Sequence, residues 1–146
     1  MCIRDSTYPV AEYGQEDPLL QRSSAATGLH VYRSDAIPEL ADLVLFGDNP
    51  SGEVFYVRAD GLPSGGQQAI RRILLNDRGD SKTLLQLIQE KNREQGRSPA
   101  GRADLRFGSG PDGQVFLLNK RDGIIRLFVS STGSGNADSG HPDIFE

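Results

Sequence analysis

Residues 47–57 read GDNPSGEVFYV, and the same pattern returns at residues 108–118 as GSGPDGQVFLL. Each copy has a turn rich in Gly, Pro or Asp, then a polar residue, then a run of β-branched and aromatic side chains. Such turn residues supply positive φ angles and a preset bend, and the run that follows suits a half-buried strand. A shorter echo, DGIIRLF, lies at residues 122–128. A turn-plus-strand unit that recurs after about 60 residues is typical of β-propeller blades with an insertion.

The remaining apolar runs extend this pattern. They predict strands at residues 28–33, 43–46, 53–58, 69–76, 103–107, 115–118 and 124–128. Because a turn joins residues 43–46 to residues 53–58, these two strands are predicted to pair as an antiparallel hairpin. Residues 82–95 have helical spacing instead, with Ser81 as N-cap and Gly96 at the end. The sequence therefore predicts an all-β fold, a partial β-propeller of about two to three blades with one inserted short helix.

The two ends of the chain are expected to lie outside the propeller. Residues 1–6, MCIRDS, match the in-frame translation of a sequencing-library adapter, so we expect an adapter-derived artefact there. Natural sequence would then begin near Thr7, inside a longer gene. Residues 130–146 are rich in Ser, Gly, Asn and Asp and are predicted to be a disordered tail. Residues 7–129 would be the C-terminal blades of a larger propeller.

The composition excludes several classes of function. A net charge of −4 and a pI near 5.2 argue against a nucleic-acid partner. No apolar run approaches the roughly 18 residues that a membrane span needs. The single cysteine, Cys2, lies in the adapter-like segment, so the natural part offers no thiolate metal site and no cysteine nucleophile. A hydrophobic content of 36% without Trp is low for a self-sufficient all-β domain, which favours a piece of a larger one.

Few polar residues are candidates for chemistry. The sequence has no nucleophile elbow, phosphate-binding loop, dinucleotide fingerprint or zinc spacing. His30 lies in an alternating strand, where a structural role is favoured over a catalytic one, and His141 lies in the tail. Asp48, Asp112 and Asp122 occur at tight turns, where a carboxylate usually accepts backbone N–H groups, so turn formation is favoured over metal binding.

Arg102 and Arg106 flank Asp104 just before the second turn. Strand alternation predicts that both arginines share one face, opposite Ala103 and Leu105, with Asp104 between them. A guanidinium binds carboxylates in bidentate fashion, so arginines that lead into a blade can contact a ligand at the centre of the ring. They can equally pair with Asp104, and both interpretations remain open.

Several motifs, in their order along the chain, resemble the late blades of the glucose/sorbosone dehydrogenase family. Members of this family are soluble β-propellers related to quinoprotein sugar dehydrogenases. The resemblance covers roughly residues 8–128, and the motifs that carry it are residues 26–33 (ATGLHVYR), 37–40 (IPEL), 45–48 (LFGD), 51–55 (SGEVF), 102–108 (RADLRFG) and 111–118 (PDGQVFLL).

The resemblance implies a six-bladed propeller that binds pyrroloquinoline quinone (PQQ), with calcium, on top of the ring. The quinone takes a hydride from a sugar or alcohol, assisted by a histidine base. That base and the calcium ligands belong to earlier blades, so the chain is expected to be an inactive C-terminal fragment. Arg102 and Arg106 are the nearest matches to the family's cofactor-binding arginines, whereas Pro50 and Ser51 stand where quinone-binding members have a lysine.

The resemblance also implies partners and a location. It indicates a sugar or alcohol as substrate, an electron acceptor such as a cytochrome, and a periplasmic or secreted protein. The alternative is a non-catalytic β-propeller that binds carbohydrate or protein. The missing lysine favours this alternative, and the two arginines favour the dehydrogenase.

Overall fold

The computed structural model describes residues 9–15, 17–20 and 24–131. Within these residues the strands form three antiparallel sheets. The first sheet, in spatial order, contains β1 (Ala26–Val31), β2 (Leu43–Asp48), β3 (Val54–Arg58) and β4 (Arg71–Ile73). The second is the pair β5 (Leu75–Asp77) and β6 (Asp80–Lys82), and the third contains β7 (Leu105–Ser109), β8 (Val115–Asn119) and β9 (Ile124–Leu127). Helix α1 (Leu84–Glu94) lies between β6 and β7, and a 3-10 turn (Pro38–Leu40) lies between β1 and β2.

The predicted all-β class with one helix is confirmed at this level. The first turn motif joins β2 to β3 in an antiparallel hairpin, with Gly47 opposite Val54. Its second copy joins β7 to β8 in the same way, with Ser109 opposite Val115. The third echo supplies β9, which pairs with β8. The hairpin predicted for residues 43–46 and 53–58 is therefore confirmed, and the second copy of the turn forms a second hairpin, while the closed propeller stays a prediction.

Two predicted strands differ from the structure. The strand predicted at residues 69–76 is divided, because β4 pairs with β3 in the first sheet and β5 pairs with β6 in the second. The strand predicted at residues 103–107 begins only at Leu105. Asp104 has a φ of 58°, which belongs to the left-handed region and interrupts an extended strand.

The helix begins at a different cap from the predicted one. The Thr83 hydroxyl accepts the Gln86 backbone N–H at 3.2 Å, and the Gln86 side chain accepts the Thr83 N–H at 2.8 Å. This reciprocal pair is a capping box. Ser81, the predicted cap, is instead paired with Asn76 in the β5–β6 hairpin. Gly96 follows the helix with a φ of 67°, as expected for the residue that ends it.

The first and third sheets face each other and share their core. One buried cluster joins both sheets and contains Tyr32, Ile37, Leu43, Leu45, Tyr56 and Val115. A second adds the helix and contains Val54, Leu84, Ile88, Ala103, Leu105 and Leu117. At Gly28, where φ is 66°, a Cβ atom would collide with the Phe107 ring, so glycine allows β1 to lie against β7. This packing fixes the start of β7 against the turn that follows β2.

The outer faces of the two sheets differ. On the first sheet, the Tyr13 ring packs on Phe46 and Phe55, with centroids 6.5 and 5.8 Å apart. On the third sheet, the side chains of Ile125, Leu127 and Val129 remain exposed by 66, 44 and 71%. Tyr13 therefore covers the part of the first sheet around Phe46 and Phe55, whereas the third sheet shows apolar side chains to solvent along β9.

Some predictions fall elsewhere in the chain. Residues 1–6, residues 132–146 of the predicted tail, and His141 lie outside the described residues. In the described part, no helix has the length and apolar character needed to cross a bilayer.

Candidate functional site

A surface pocket of about 450 Å³ lies at the end of the third sheet where β7 begins and β8 ends. Both arginines that the sequence singles out, Arg102 and Arg106, line it. Asn49 reaches the pocket from the turn after β2, and residues 118–120 and 123–125 close its other side. The site therefore combines a turn of the first sheet with three segments of the third.

The two arginines have different environments. The Arg102 Nε lies 2.6 Å from Asp104 Oδ1, and its Nη2 donates to Asn49 Oδ1 at 3.0 Å. Arg106 is exposed, and its Nη1 donates to the Leu105 carbonyl at 2.8 Å. Arg106 takes part in none of the ion pairs found among the described residues. Of the two arginines, Arg106 is therefore the one whose guanidinium keeps most of its hydrogen-bond donors available to a ligand.

The predicted arrangement around Asp104 is wrong in one respect. Arg102 precedes β7 and is not part of the strand, so alternation does not place it on the same face as Arg106. Asp104 pairs with Arg102 and not with Arg106. The left-handed backbone at Asp104 causes the difference, because it turns the chain just before the strand begins. The two arginines still meet at one pocket, by a turn rather than by alternation.

Asp104 is the buried anion of the site. Besides Arg102, its carboxylate lies 2.5 Å from Arg121 Nε and 3.8 Å from Lys120 Nζ. Burial alone would raise the pKa of Asp104, but the hydrogen bond from Arg121 and the charges of Arg102, Arg121 and Lys120 outweigh it and lower the pKa. Asp104 is thus a carboxylate at neutral pH with three cations within 4 Å, and Arg106 lines the same pocket. The pocket carries an excess of positive charge on a chain whose net charge is −4.

Two buried asparagines fasten the pocket. Asn49 donates from Nδ2 to the Leu105 carbonyl at 3.0 Å, and the Leu105 N–H donates to the Asn49 carbonyl at 3.1 Å. Asn119 donates from Nδ2 to the Ala103 carbonyl and accepts the Arg121 N–H at 2.7 Å. Sequence reasoning missed both residues. The sequence marks these residues only by their positions, because Asn49 lies in the first turn motif and Asn119 directly follows the strand run at residues 115–118.

The rest of the pocket surface is apolar. Leu118, Ile124 and Ile125 line it, and Lys120, whose side chain is 78% exposed, stands at its edge. Sequence reasoning also missed Lys120, because it follows a strand and no motif marks it. Cationic groups beside an apolar surface suit an anionic ligand with a flat or apolar body.

The other candidate residues have structural roles. Asp48 is fully buried and accepts the Ala25 N–H at 2.7 Å and the Ser51 N–H at 2.9 Å, so its predicted role in the turn is confirmed. Asp122 accepts the Ile124 N–H at 3.1 Å in a comparable turn. His30 hydrogen-bonds through Nδ1 to Ser109 Oγ at 2.8 Å, which links β1 to β7.

A metal site does not emerge from the part of the chain that the structure describes. These residues contain no group of three or more His, Cys, Asp or Glu side chains placed to hold an ion. Comparisons with protein-family models, with curated proteins and with solved structures find no match to this chain.

Proposed function

We propose that this chain is a C-terminal fragment of a PQQ-dependent sugar or alcohol dehydrogenase-like β-propeller, and that its pocket contacts the carboxylates of the quinone. The observation that supports the proposal is the position of Arg106. Its guanidinium lies in the pocket without an ion pair among the described residues, beside Lys120 and next to the apolar side chains of Leu118 and Ile125. PQQ is a planar tricarboxylate, so its charge and shape match this surface.

The cationic residues of the pocket would make different contacts with the ligand. Arg106 offers bidentate hydrogen bonds to one carboxylate, and Lys120 offers a mobile point charge to another. Arg102 is held by Asp104 and Asn49 and contributes charge more than free donors. The quinone, when bound, supplies the hydride acceptor. The chain's own part is to bind and orient that ligand.

Binding of PQQ to the purified chain tests the proposal. Titration calorimetry should show that Arg106→Ala weakens binding at least about tenfold, which corresponds to about 1.4 kcal/mol. The control is Arg58→Ala, because Arg58 is exposed and pairs with Asp60 at 2.6 Å, outside the pocket. Equal affinity of the wild type and Arg106→Ala, with circular dichroism unchanged, would contradict the proposal.

A second candidate is a non-catalytic module that binds carbohydrate or protein. The observation that favours it is the first turn, where Pro50 and Ser51 replace the lysine that the resemblance leads us to expect. The same pocket would then take an acidic carbohydrate. An oligouronate that binds through Arg106 and displaces PQQ, or binds where PQQ does not, would favour this candidate.

A further inference from the structure

Among the described residues, strand β9 lies at the edge of the third sheet, where it pairs with β8 and with no other strand. The Phe128 N–H donates to the Val115 carbonyl at 3.0 Å, so the backbone polar groups of Phe128 point toward β8. In an antiparallel strand the N–H and C=O groups of alternate residues point to the same side. Those of Arg126 therefore also point toward β8, whereas those of Ile125 and Leu127 point away from it. Among the described residues no strand lies on that side.

The side chains along this edge are apolar and lack the usual protection. Ile125, Leu127 and Val129 follow one another at alternate positions and are exposed by 66, 44 and 71%. Natural edge strands are normally blunted by charge, by proline or by a bulge. The outer edge of the first sheet follows this rule, because β4 begins with Arg71 and Arg72. In β9 the one charged residue, Arg126, is paired with Asp122, and the side chains that alternate with it are exposed and apolar, so this edge is more open to pairing with another strand.

The edge is complementary to itself in one register. A two-fold axis at Leu127 places Leu127 opposite its own copy and Ile125 opposite Val129, so every exposed pair is apolar. The same register places Arg126 opposite Phe128. An axis at Arg126 would instead set two arginines directly opposite each other, which is unfavourable. The distribution of side chains therefore selects the register centred on Leu127.

We propose that two copies of this chain associate through their β9 edges, antiparallel and about a two-fold axis at Leu127. The pairing joins two third sheets into one continuous sheet and places the exposed apolar side chains of the two copies in cross-strand contact. Such an isologous contact closes on itself and does not propagate. Ile125 also lines the pocket, so pairing at this edge would alter one wall of the ligand site, whereas Leu127 itself does not line it.

Sedimentation of the purified chain over a range of concentrations tests the association. We expect a reversible monomer–dimer equilibrium, and we expect Leu127→Lys to raise the dimer dissociation constant at least about tenfold because it sets two like charges opposite each other. The matched control is Leu62→Lys, since Leu62 is 55% exposed and lies away from β9. A wild type that stays monomeric up to about 1 mM, or equal effects of the two variants, would overturn the proposal.

Cysteine cross-linking tests the register, in a Cys2→Ser background. Hydrogen-bonded antiparallel pairs have Cα atoms about 5.5 Å apart, a separation that a disulfide can bridge. Leu127→Cys alone should therefore give a disulfide dimer on mild oxidation. Ile125→Cys and Val129→Cys should each fail alone and cross-link when mixed. Cross-linking of Leu62→Cys at the rate of Leu127→Cys, or of Ile125→Cys alone as fast as the mixture, would overturn the register.

Discussion

Asp104 determines how charge is distributed in the pocket. Its carboxylate holds Arg102 and Arg121 at 2.6 and 2.5 Å, and its left-handed φ of 58° turns the chain into β7. Asp tolerates this conformation better than most residues. Asp104 pairs with these two arginines, and Arg106 takes part in no ion pair among the described residues. The ion pairs of Asp104 thus hold Arg102 and Arg121 in place, while the Arg106 side chain is not held by an ion pair among the described residues.

Replacement of Asp104 by Asn should make the stability of the chain less dependent on pH. The folded pKa of Asp104 is lowered, so its stabilising contribution is present above the unfolded pKa and is lost as the pH falls through the folded value. We expect Asp104→Asn to reduce the free energy of unfolding by about 1–2 kcal/mol at pH 7. In urea titrations this difference from the wild type should shrink below about pH 4. A difference that stays constant with pH would contradict the assignment, and the exposed Asp112→Asn is the control.

Gly47 should not tolerate a side chain. A Cβ atom there would lie 2.5 Å from Leu105 Cδ2 in the third sheet and 2.7 Å from the Glu53 carbonyl oxygen in its own hairpin. We expect Gly47→Ala to lower the free energy of unfolding by about 1–3 kcal/mol in denaturant titrations. Gly61→Ala is the control, because its Cβ would meet nothing within 4 Å. Equal midpoints for the two variants would show that the sheets are not packed as described.

The elements that the sequence predicts well are those with local signals. The first hairpin and the strands that flank the second turn follow from their turn residues, and the helix follows from its leucine spacing. The sequence misplaces the start of the helix because Ser81 and Thr83 are both good caps, and only the pairing of Ser81 with Asn76 excludes Ser81. That pairing belongs to the small β5–β6 sheet, whose polar strands carry little pattern.

The helix cap provides a test at the scale of one element. Thr83→Ala removes the acceptor of the Gln86 N–H and should lower the free energy of unfolding by about 1 kcal/mol, as loss of an N-cap usually does. Ser81→Ala should change it by less than about 0.5 kcal/mol, the range of ordinary surface substitutions. Thermal unfolding followed by circular dichroism distinguishes the two. If Ser81→Ala lowers the free energy of unfolding more than Thr83→Ala, Ser81 is the N-cap, as the sequence predicts.

The pocket is a property of the whole molecule. Asn49 meets Arg102 and Leu105 across more than fifty intervening residues, as sequence separations of 53 and 56 show. Sequence alone indicates Arg102 and Arg106, because they precede a recognisable turn. It cannot indicate Asn49, Asn119 or Lys120, since their roles depend on how the first and third sheets face each other. The ligand class is what the resemblance implies, and the structure shows which residues line the pocket where such a ligand would bind.

The chain by itself should have no dehydrogenase activity. The proposed function requires a histidine base and calcium ligands that the resemblance assigns to earlier blades. We expect no glucose-dependent reduction of a dye above background when the chain is supplied with PQQ and calcium. The control is the same assay with no protein added. Turnover that depends on the chain would show that a base for hydride transfer lies within these residues.

Recognition of carboxylates by the pocket is the central claim, and comparison of PQQ with its trimethyl ester tests it most directly. The ester keeps the planar ring system but removes the negative charges that Arg106 and Lys120 would bind. Titration calorimetry with the wild-type chain should show at least about tenfold weaker binding of the ester, or about 1.4 kcal/mol. Equal affinities for the acid and the ester would contradict the account.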